Sequence, residues 1–358
     1  MKIRTLAALA TLPLAIACTT APIHASTEAA VTKVRMTIDE DPIVVRLAGS
    51  LGYLRDEGIE IVPVDLEKLM GEDYLMQQPL VDGRIDASYH WFNHTVFGAR
   101  HGYPIEAVMV FNDAPGMTVM VANRVKGEVR GASDFAGRNV AEGAGYGTKA
   151  VITGYIAQKA GVKPTAYRSV DAKSEGREEA VLSDLRAGSV DVMTFQEPLT
   201  SALQRTGLVS TLYDLNSGPS TKQVLGAAFP AQSLLVAPAY ARTHPETVQH
   251  LVNAFVRTMR FINSHDADTI IAELPPEFFT GKDRAEAIAY VRATLPTYAR
   301  GDYAIAPESA ELVTRVMRSS AFDGSEEGRW RAGGDDAKVQ PSRLYDNRFV
   351  DAAMRRIP

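Results

Sequence analysis

The sequence predicts an α/β protein: two βαβ lobes with wound sheets, joined by two crossing segments and followed by a helical C-terminal part. Three observations carry this expectation. One pattern occurs twice, 105 positions apart: Leu80-Val-Asp-Gly83-Arg-Ile85-Asp86-Ala87 and Leu185-Arg-Ala-Gly188-Ser-Val190-Asp191-Val192 both read Leu-x-x-Gly-x-[Ile/Val]-Asp-[Ala/Val]. Strand-like and helix-like stretches alternate through two successive halves before a mainly helical end. The length, 358 residues, exceeds what one core usually serves. Each copy of the repeat reads as a helix ending on a glycine able to take positive φ, followed by a short apolar strand.

The first residues give an address. Met1-Lys2-Ile3-Arg4 is basic, residues 6–17 are apolar, and small residues follow. This is the layout of a secretory signal peptide, too short to span a bilayer. A cut after Ile23-His24-Ala25 leaves Ser26 as the new start. A second exit, Ala15-Ile16-Ala17-Cys18, resembles a lipoprotein box but lacks the usual leucine three places before the cysteine. Cys18 is the only cysteine, so there is no intrachain disulfide, and its thiol is either discarded or lipidated. Without residues 1–25 the 38 basic residues become 36, against 43 acidic, a net charge of −7. That balance argues against a nucleic-acid partner.

The elements follow in order. Residues 34–38 alternate like a strand and stop at Asp39-Glu40-Asp41-Pro42. Pro42 suits the first turn of a helix, in which Val44, Leu47, Leu51 and Leu54 keep helical spacing until Gly58. Residues 59–62 form the second strand; a helix before Gly83, a strand at 85–87 and a helix ending near Gly102 come next. Residues 105–111 and 117–122 read as extended runs broken by Asp113-Ala114-Pro115-Gly116. A short helix and strand occupy 131–141, and a glycine-rich turn opens a helix over 149–160. Strand 167–170, helix 175–187, strand 189–193 and residues 208–215 complete the second half, which turns at Asn216-Ser217-Gly218-Pro219. Residues 233–237 are strand-like again. From Ala239 the chain becomes helical, and Thr243-His244-Pro245-Glu246 caps a helix whose Val248, Leu251, Val252, Phe255, Met259 and Ile262 form one apolar face. The runs at 117–122 and 233–237 are natural crossings between lobes. The expected division is a signal peptide (1–25), a discontinuous first lobe (26–120 and 234–358) and a second lobe (121–233). Residues 323–340, charged and glycine-rich, read as a surface loop.

Ligands of α/β sheets sit beyond the carboxyl ends of the strands, so the candidate site lies at 39–41, 89–94, 143–148 and 194–197. In Gly143-Ala144-Gly145-Tyr146-Gly147-Thr148, glycines let backbone N–H groups at a helix start approach a ligand, and Thr148 caps or donates. Gly145, Tyr146, Gly147 and Thr148 therefore suit an anion, although the same turn could be an ordinary cap. Tyr89, Trp91 and Phe195 offer rings for planar or apolar solutes, while alternation places Phe92 in the core. His90, His94 and Asp86 stand four apart, a spacing compatible with metal ligands on one helical face. Asp86 lies in the predicted strand, however, and its counterpart Asp191 has no histidine after it. The aspartates are read as fold-maintaining, the histidines as hydrogen-bonding groups, and no metal is expected. Glu197, Glu142 and Asp41 with its acidic neighbours suit an amine, an amino-pyrimidine or a hydroxyl-rich solute instead of a bare anion, although acidic residues such as Asp41 also commonly precede a helix to satisfy its dipole. No nucleophile–base signature or cofactor motif occurs, so no catalytic residue and no cofactor are expected.

In order along the chain come the export segment, the βαβ unit ending Gly83-Arg84-Ile85-Asp86-Ala87, Asp134-Phe135-Ala136-Gly137-Arg138-Asn139-Val140, and the glycine-rich turn. Ala187-Gly188-Ser189-Val190-Asp191-Val192 with Glu197-Pro198, then Thr243-His244-Pro245-Glu246-Thr247-Val248, follow. Arg260-Phe261-Ile262-Asn263-Ser264-His265 and Leu344-Tyr345-Asp346-Asn347-Arg348-Phe349-Val350-Asp351 complete the series. Together these resemble the periplasmic substrate-binding proteins of ABC importers, in the nitrate/sulfonate/taurine and pyrimidine-precursor (thiamine-precursor-like) branch. The resemblance implies the bilobal periplasmic-binding-protein fold: a monomer in the periplasm whose hinge closes on a small organic solute and delivers it to an inner-membrane permease and its ATPase. The glycine turn points to a sulfonate or carboxylate. The alternatives are a pyrimidine-like heterocycle, or a periplasmic enzyme on the same fold.

Overall fold

The computed structural model describes residues 31–38, 42–65, 68–69, 77–142, 147–170, 178–319 and 333–357. Ten strands form two five-stranded sheets. The first holds β1 (Thr32–Ile38), β2 (Ile59–Val64), β3 (Ala87–Trp91), β4 (Glu106–Val110) and β10 (Gln232–Val236), in the order β2-β1-β3-β10-β4. The second holds β5 (Met117–Ala122), β6 (Asn139–Ala141), β7 (Arg168–Val170), β8 (Val192–Gln196) and β9 (Val209–Leu215), in the order β7-β6-β8-β5-β9. In each sheet four strands run in one direction, and the fourth in order is antiparallel to both its neighbours. One sheet maps onto the other with β6 for β1, β7 for β2, β8 for β3, β9 for β4 and β5 for β10.

The antiparallel strand in each sheet is the one that the chain delivers by crossing. It passes from the first sheet to the second between β4 and β5, and returns between β9 and β10. Every residue of β5 and of β10 is buried, as expected of a strand covered on both faces. The α/β class, the two wound sheets, the two crossings and the helical C-terminal part all match the expectation.

The repeat sits where the two halves correspond. Gly83 and Gly188 take φ of 68° and 73°, the left-handed region that favours glycine. Asp86 accepts hydrogen bonds from the Arg35 backbone N–H at 2.8 Å and from Arg35 Nη2 at 2.6 Å, and Arg35 Nη2 also donates to the Gly83 carbonyl at 2.8 Å. Asp191 accepts from the Asn139 N–H at 2.9 Å and from Arg124 Nη2 at 2.7 Å; Arg124 Nη2 reaches the Gly188 carbonyl at 2.8 Å. The aspartates therefore fasten the turn before each strand to the neighbouring strand.

That arrangement corrects the strand positions. The sequence placed strands at 85–87 and 189–193, with Asp86 inside the first, but the strands run Ala87–Trp91 and Val192–Gln196. Asp86 and Asp191 sit in the preceding turns, because their carboxylates are engaged in holding those turns. The residues expected in loops, Tyr89-His90-Trp91 and Thr194-Phe195-Gln196, are instead the last residues of strands.

Two helix readings are also corrected. The single helix expected from Pro42 to Gly58 is two, Ile43–Ser50 and Tyr53–Asp56, separated at Gly52 with φ of 74°. The long helix Pro245–Ser264 buries the expected face of Val248, Leu251, Val252, Phe255, Met259 and Ile262. Its N-cap is His244, with no side-chain cap bond. Thr243 Oγ1 donates back to the Ala239 carbonyl at 3.0 Å, because Thr243 ends the preceding helix Pro238–Thr243. This long helix packs on Ile43–Ser50 and on Arg348–Arg356, which places the C-terminal segment against the first sheet. Part of the expected loop at 323–340 is ordered by contact: the buried Arg100 Nε donates to Asp336 Oδ1 at 2.6 Å. Residues 323–332 lie outside the described residues. Among those described, no helix is long and apolar enough to cross a membrane.

Candidate functional site

A cleft of about 540 Å³ opens where the carboxyl ends of β3 and β8 approach the two crossings. From the first half it is lined by Pro42, Ile43, Tyr89 and Trp91, and from the second by Gln196, Glu197 and Pro198. Asn112, Ala114, Pro115 and Gly116 line it from the β4–β5 crossing, and Asn216, Ala231 and Gln232 from the return. A further wall comes from residues 276–298, including Phe278, Lys282, Asp283, Glu286, Tyr290, Thr297 and Tyr298. Contributions from both sheets and both crossings make this the natural place to hold a ligand between two halves.

Of the residues picked out in the sequence, Tyr89, Trp91 and Glu197 come together in this cleft. Tyr89 is buried, and its ring stacks on Phe111 with centroids 5.0 Å apart, so it is core packing and cleft wall at once. Trp91 is half-buried at the end of β3. Glu197 accepts from the Ser201 N–H at 3.2 Å and from Ser201 Oγ at 2.9 Å; the carboxylate steadies the start of the helix Leu199–Arg205 as well as lining the cleft.

The others are placed elsewhere. Phe92 is fully buried, as alternation implied, and Phe195 is 2% exposed, with Lys149 Nζ 6.0 Å from its ring. His90 Nδ1 accepts from the Trp91 N–H at 2.9 Å, and its ring lies 4.2 Å from that of His94. Gly147 is the N-cap of the helix Thr148–Lys159, and Thr148 Oγ1 accepts from Asn93 Nδ2 at 3.3 Å, across the two halves. Glu142 is buried at the end of β6, with Tyr167 Oη at 3.4 Å; burial pushes its carboxyl up to about 7. Asp41, Gly145 and Tyr146 lie outside the described residues. Among the described residues, no group of three or more His, Cys, Asp or Glu side chains is placed to hold a metal ion.

Sequence reasoning missed the crossing residues and the 276–298 wall. Asn112 follows β4 as Asn216 follows β9, so the repeat could have been extended to Phe111-Asn112 and Leu215-Asn216. Asp113, beside Asn112, packs its carboxylate on Gly218, where an added Cβ would meet Oδ2 at 2.5 Å. Burial pushes this carboxyl up to about 6.

The NMT1-like family profile matches residues 27–275, more than two thirds of the sequence. The chain belongs to the NMT1-like family. No curated protein matches it in sequence. Solved structures share the fold of this NMT1-like protein at low identity. The periplasmic aliphatic sulphonate binding protein SsuA from Escherichia coli is similar at 20% identity and a TM-score of 0.59, over 79% of this chain and 85% of that one. The periplasmic nitrate-binding protein NrtA from Synechocystis PCC 6803 gives 12% identity and 0.62, over 91% and 89%. The desulfurization enzyme DSZB gives 13% identity and 0.57, over 91% and 100%. The NMT1-like chain thus has the periplasmic-binding-protein fold. Its cleft wall at 276–298 lies beyond the stretch that the family profile covers.

Proposed function

We propose that this NMT1-like protein is the solute-binding component of an ABC importer, exported to the periplasm by residues 1–25 and acting there as a monomer. It captures a small organic solute between lobes formed by 26–120 with 234–358 and by 121–233, and hands it to a permease with its ATPase. The observation that carries this reading is the cleft between the carboxyl ends of two like sheets joined by two crossings. A ligand touching both halves favours their approach by the contacts it gains there. The sulphonate- and nitrate-binding proteins with this fold support the reading by analogy.

The described wall carries Glu197, Asp283 and Glu286 against one cation, Lys282. That balance weighs against the sulfonate or carboxylate expected from the glycine-rich turn, and toward the heterocycle held as its alternative. Binding without turnover is part of the proposal; the fold also carries DSZB, so turnover must be tested directly.

A thermal-shift screen of sulfonates, aromatic carboxylates, nitrate and pyrimidines tests it, since a solute bound only by the folded form raises the melting temperature. At least one class is expected to raise it, and the bound compound is expected back unchanged. Trp91→Ala should weaken that compound at least about tenfold with an unaltered melting temperature for the ligand-free protein. A silent screen, or recovery of a converted compound, would overturn the proposal.

A further inference from the structure

Three amide side chains on the cleft wall are each held in one orientation by a partner that can only accept. Asn112 Nδ2 donates to Thr297 Oγ1 at 2.6 Å, and that hydroxyl gives its own proton to the Thr294 carbonyl at 2.7 Å. Thr297 can therefore face only the NH2 end of Asn112. Gln196 Nε2 donates to the Pro115 carbonyl at 3.3 Å. Asn216 Nδ2 donates to the Asp214 carboxylate at 2.7 Å and to Thr118 Oγ1 at 2.8 Å. Asn216 has two such acceptors and Asn112 and Gln196 one each; in every case the carbonyl oxygen is the end turned from them, and Asn112 Oδ1 is buried without a partner among the described residues.

These oxygens come from equivalent and facing places. Asn112 stands on one crossing and Asn216 on the other, while Gln196 ends β8. Gln232, opposite Trp91 in the register of β10 with β3, adds a fourth amide whose Oε1 is likewise unpartnered. Asn112 and Gln232 are 6% and 7% exposed, so little water reaches them. A buried acceptor left unmatched is costly, and a ligand that supplies the missing donor recovers that cost. The same wall also carries donors, the phenols of Tyr89, Tyr290 and Tyr298, the Trp91 indole, and Lys282 on the exposed rim, its Nζ 4.2 Å from the Phe278 ring.

We propose that the cleft recognises its solute through that solute's N–H groups. The ligand class is a compound with a flat body that lies against Tyr89 and Trp91 and carries an amide, amine or amidine toward Asn112, Gln196 and Asn216. An anion without N–H groups meets carbonyl oxygens and carboxylates there and is rejected, because a site built to accept hydrogen bonds leaves its acceptors unpaired when the donor is missing. This inference rests on the solute-capture reading above and narrows it.

Four probes of similar shape test it by calorimetric titration of the purified protein: benzamide, benzamidine, benzoate and benzenesulfonate. Benzamide and benzamidine are each expected to bind at least about tenfold tighter than either anion. Gln196→Met, close to isosteric, and Asn216→Leu should each reduce that preference at least about fivefold, by weakening benzamide and benzamidine and by easing the rejection of the anions. The melting temperature of each ligand-free variant reports that it is folded. Equal or tighter binding of an anion, or an unchanged preference in both folded variants, would overturn the inference and leave solute capture standing. Failure of all four probes to bind overturns it as well, and together with a silent thermal-shift screen would remove both readings.

Discussion

Asp86 and Asp191 occupy the same place in the two halves but are reached by arginines from different places. Arg35 comes from β1 beside the turn it secures, whereas Arg124 follows β5, the crossing strand, and reaches the equivalent turn from the other side. What the repeat preserves is the demand, a carboxylate and a glycine carbonyl to be matched, and the supply is free to change. Each aspartate accepts a backbone N–H and a guanidinium at once, so Asp86→Ala and Asp191→Ala are each expected to lower stability by about 2 kcal/mol. Urea unfolding checks this, and a loss under about 0.5 kcal/mol in both would refute the structural role. The spacing of aspartate and glycine made this role legible in the sequence. The arginine partners were not, since nothing local distinguishes Arg124 from any other surface arginine. The amides of Asn112, Gln196, Asn216 and Gln232 were equally hidden, because an amide matters here through which end its neighbours leave open.

Strands were legible as elements and misplaced by a few residues. Apolar runs announce a strand, but its limits depend on hydrogen bonds to partners far along the chain, and here the aspartate turns delay the start. The same delay moved Tyr89, Trp91 and Gln196 from loops onto strand ends, where they are held more firmly. Another strand end carries a pH prediction. Glu142 closes β6 and is buried with Tyr167 and Ser169 beside it; burial raises its carboxyl to about 7, and the hydrogen bonds from those two residues only partly oppose the rise. The folded state thus holds this proton more tightly than the unfolded chain does. Its contribution to stability is fully present below about pH 4.5 and is lost as pH rises through about 7. Glu142→Gln keeps the neutral form at every pH, so it should be more stable than the parent at pH 8, by on the order of 1–3 kcal/mol, and close to it at pH 4.5. Melting curves at the two pH values decide; a parent that gains on Glu142→Gln with rising pH would contradict the sign.

At the scale of the molecule, the two crossings do more than connect. Asn112 and Asp113 on one are bonded to the backbone at 229–232 on the other, and Asp113 lies against Gly218. Any relative motion of the halves is therefore expected to act through a paired strap carrying cleft residues. Across the cleft's other side, Asn93 Nδ2 meets Thr148 Oγ1 at 3.3 Å, joining the helix Asn93–His101 to the helix Thr148–Lys159. Under the proposed closure of the halves, this bond would belong to the closed state. Thr148→Val should consequently weaken binding of the screened solute by about two- to tenfold, although Thr148 does not line the cleft, and leave the ligand-free melting temperature unchanged. Calorimetric titration beside small-angle scattering checks it: wild-type affinity together with wild-type closure would rule out the contact.

The sequence by itself determined the fold class, the doubling of the βαβ unit, the buried face of the long helix and the fold-maintaining role of the paired aspartates. All of these depend on local periodicity or on a pattern short enough to be read in place. Only the tertiary structure decided which residues share the cleft. The wall at 276–298 is carried there by helices with no motif of their own, and the amides at the crossings acquire their direction from Thr297, Pro115 and Asp214. A binding surface assembled from distant segments has no local signal, because the quantity that defines it, an unmatched acceptor beside an opening, exists only after the segments have packed.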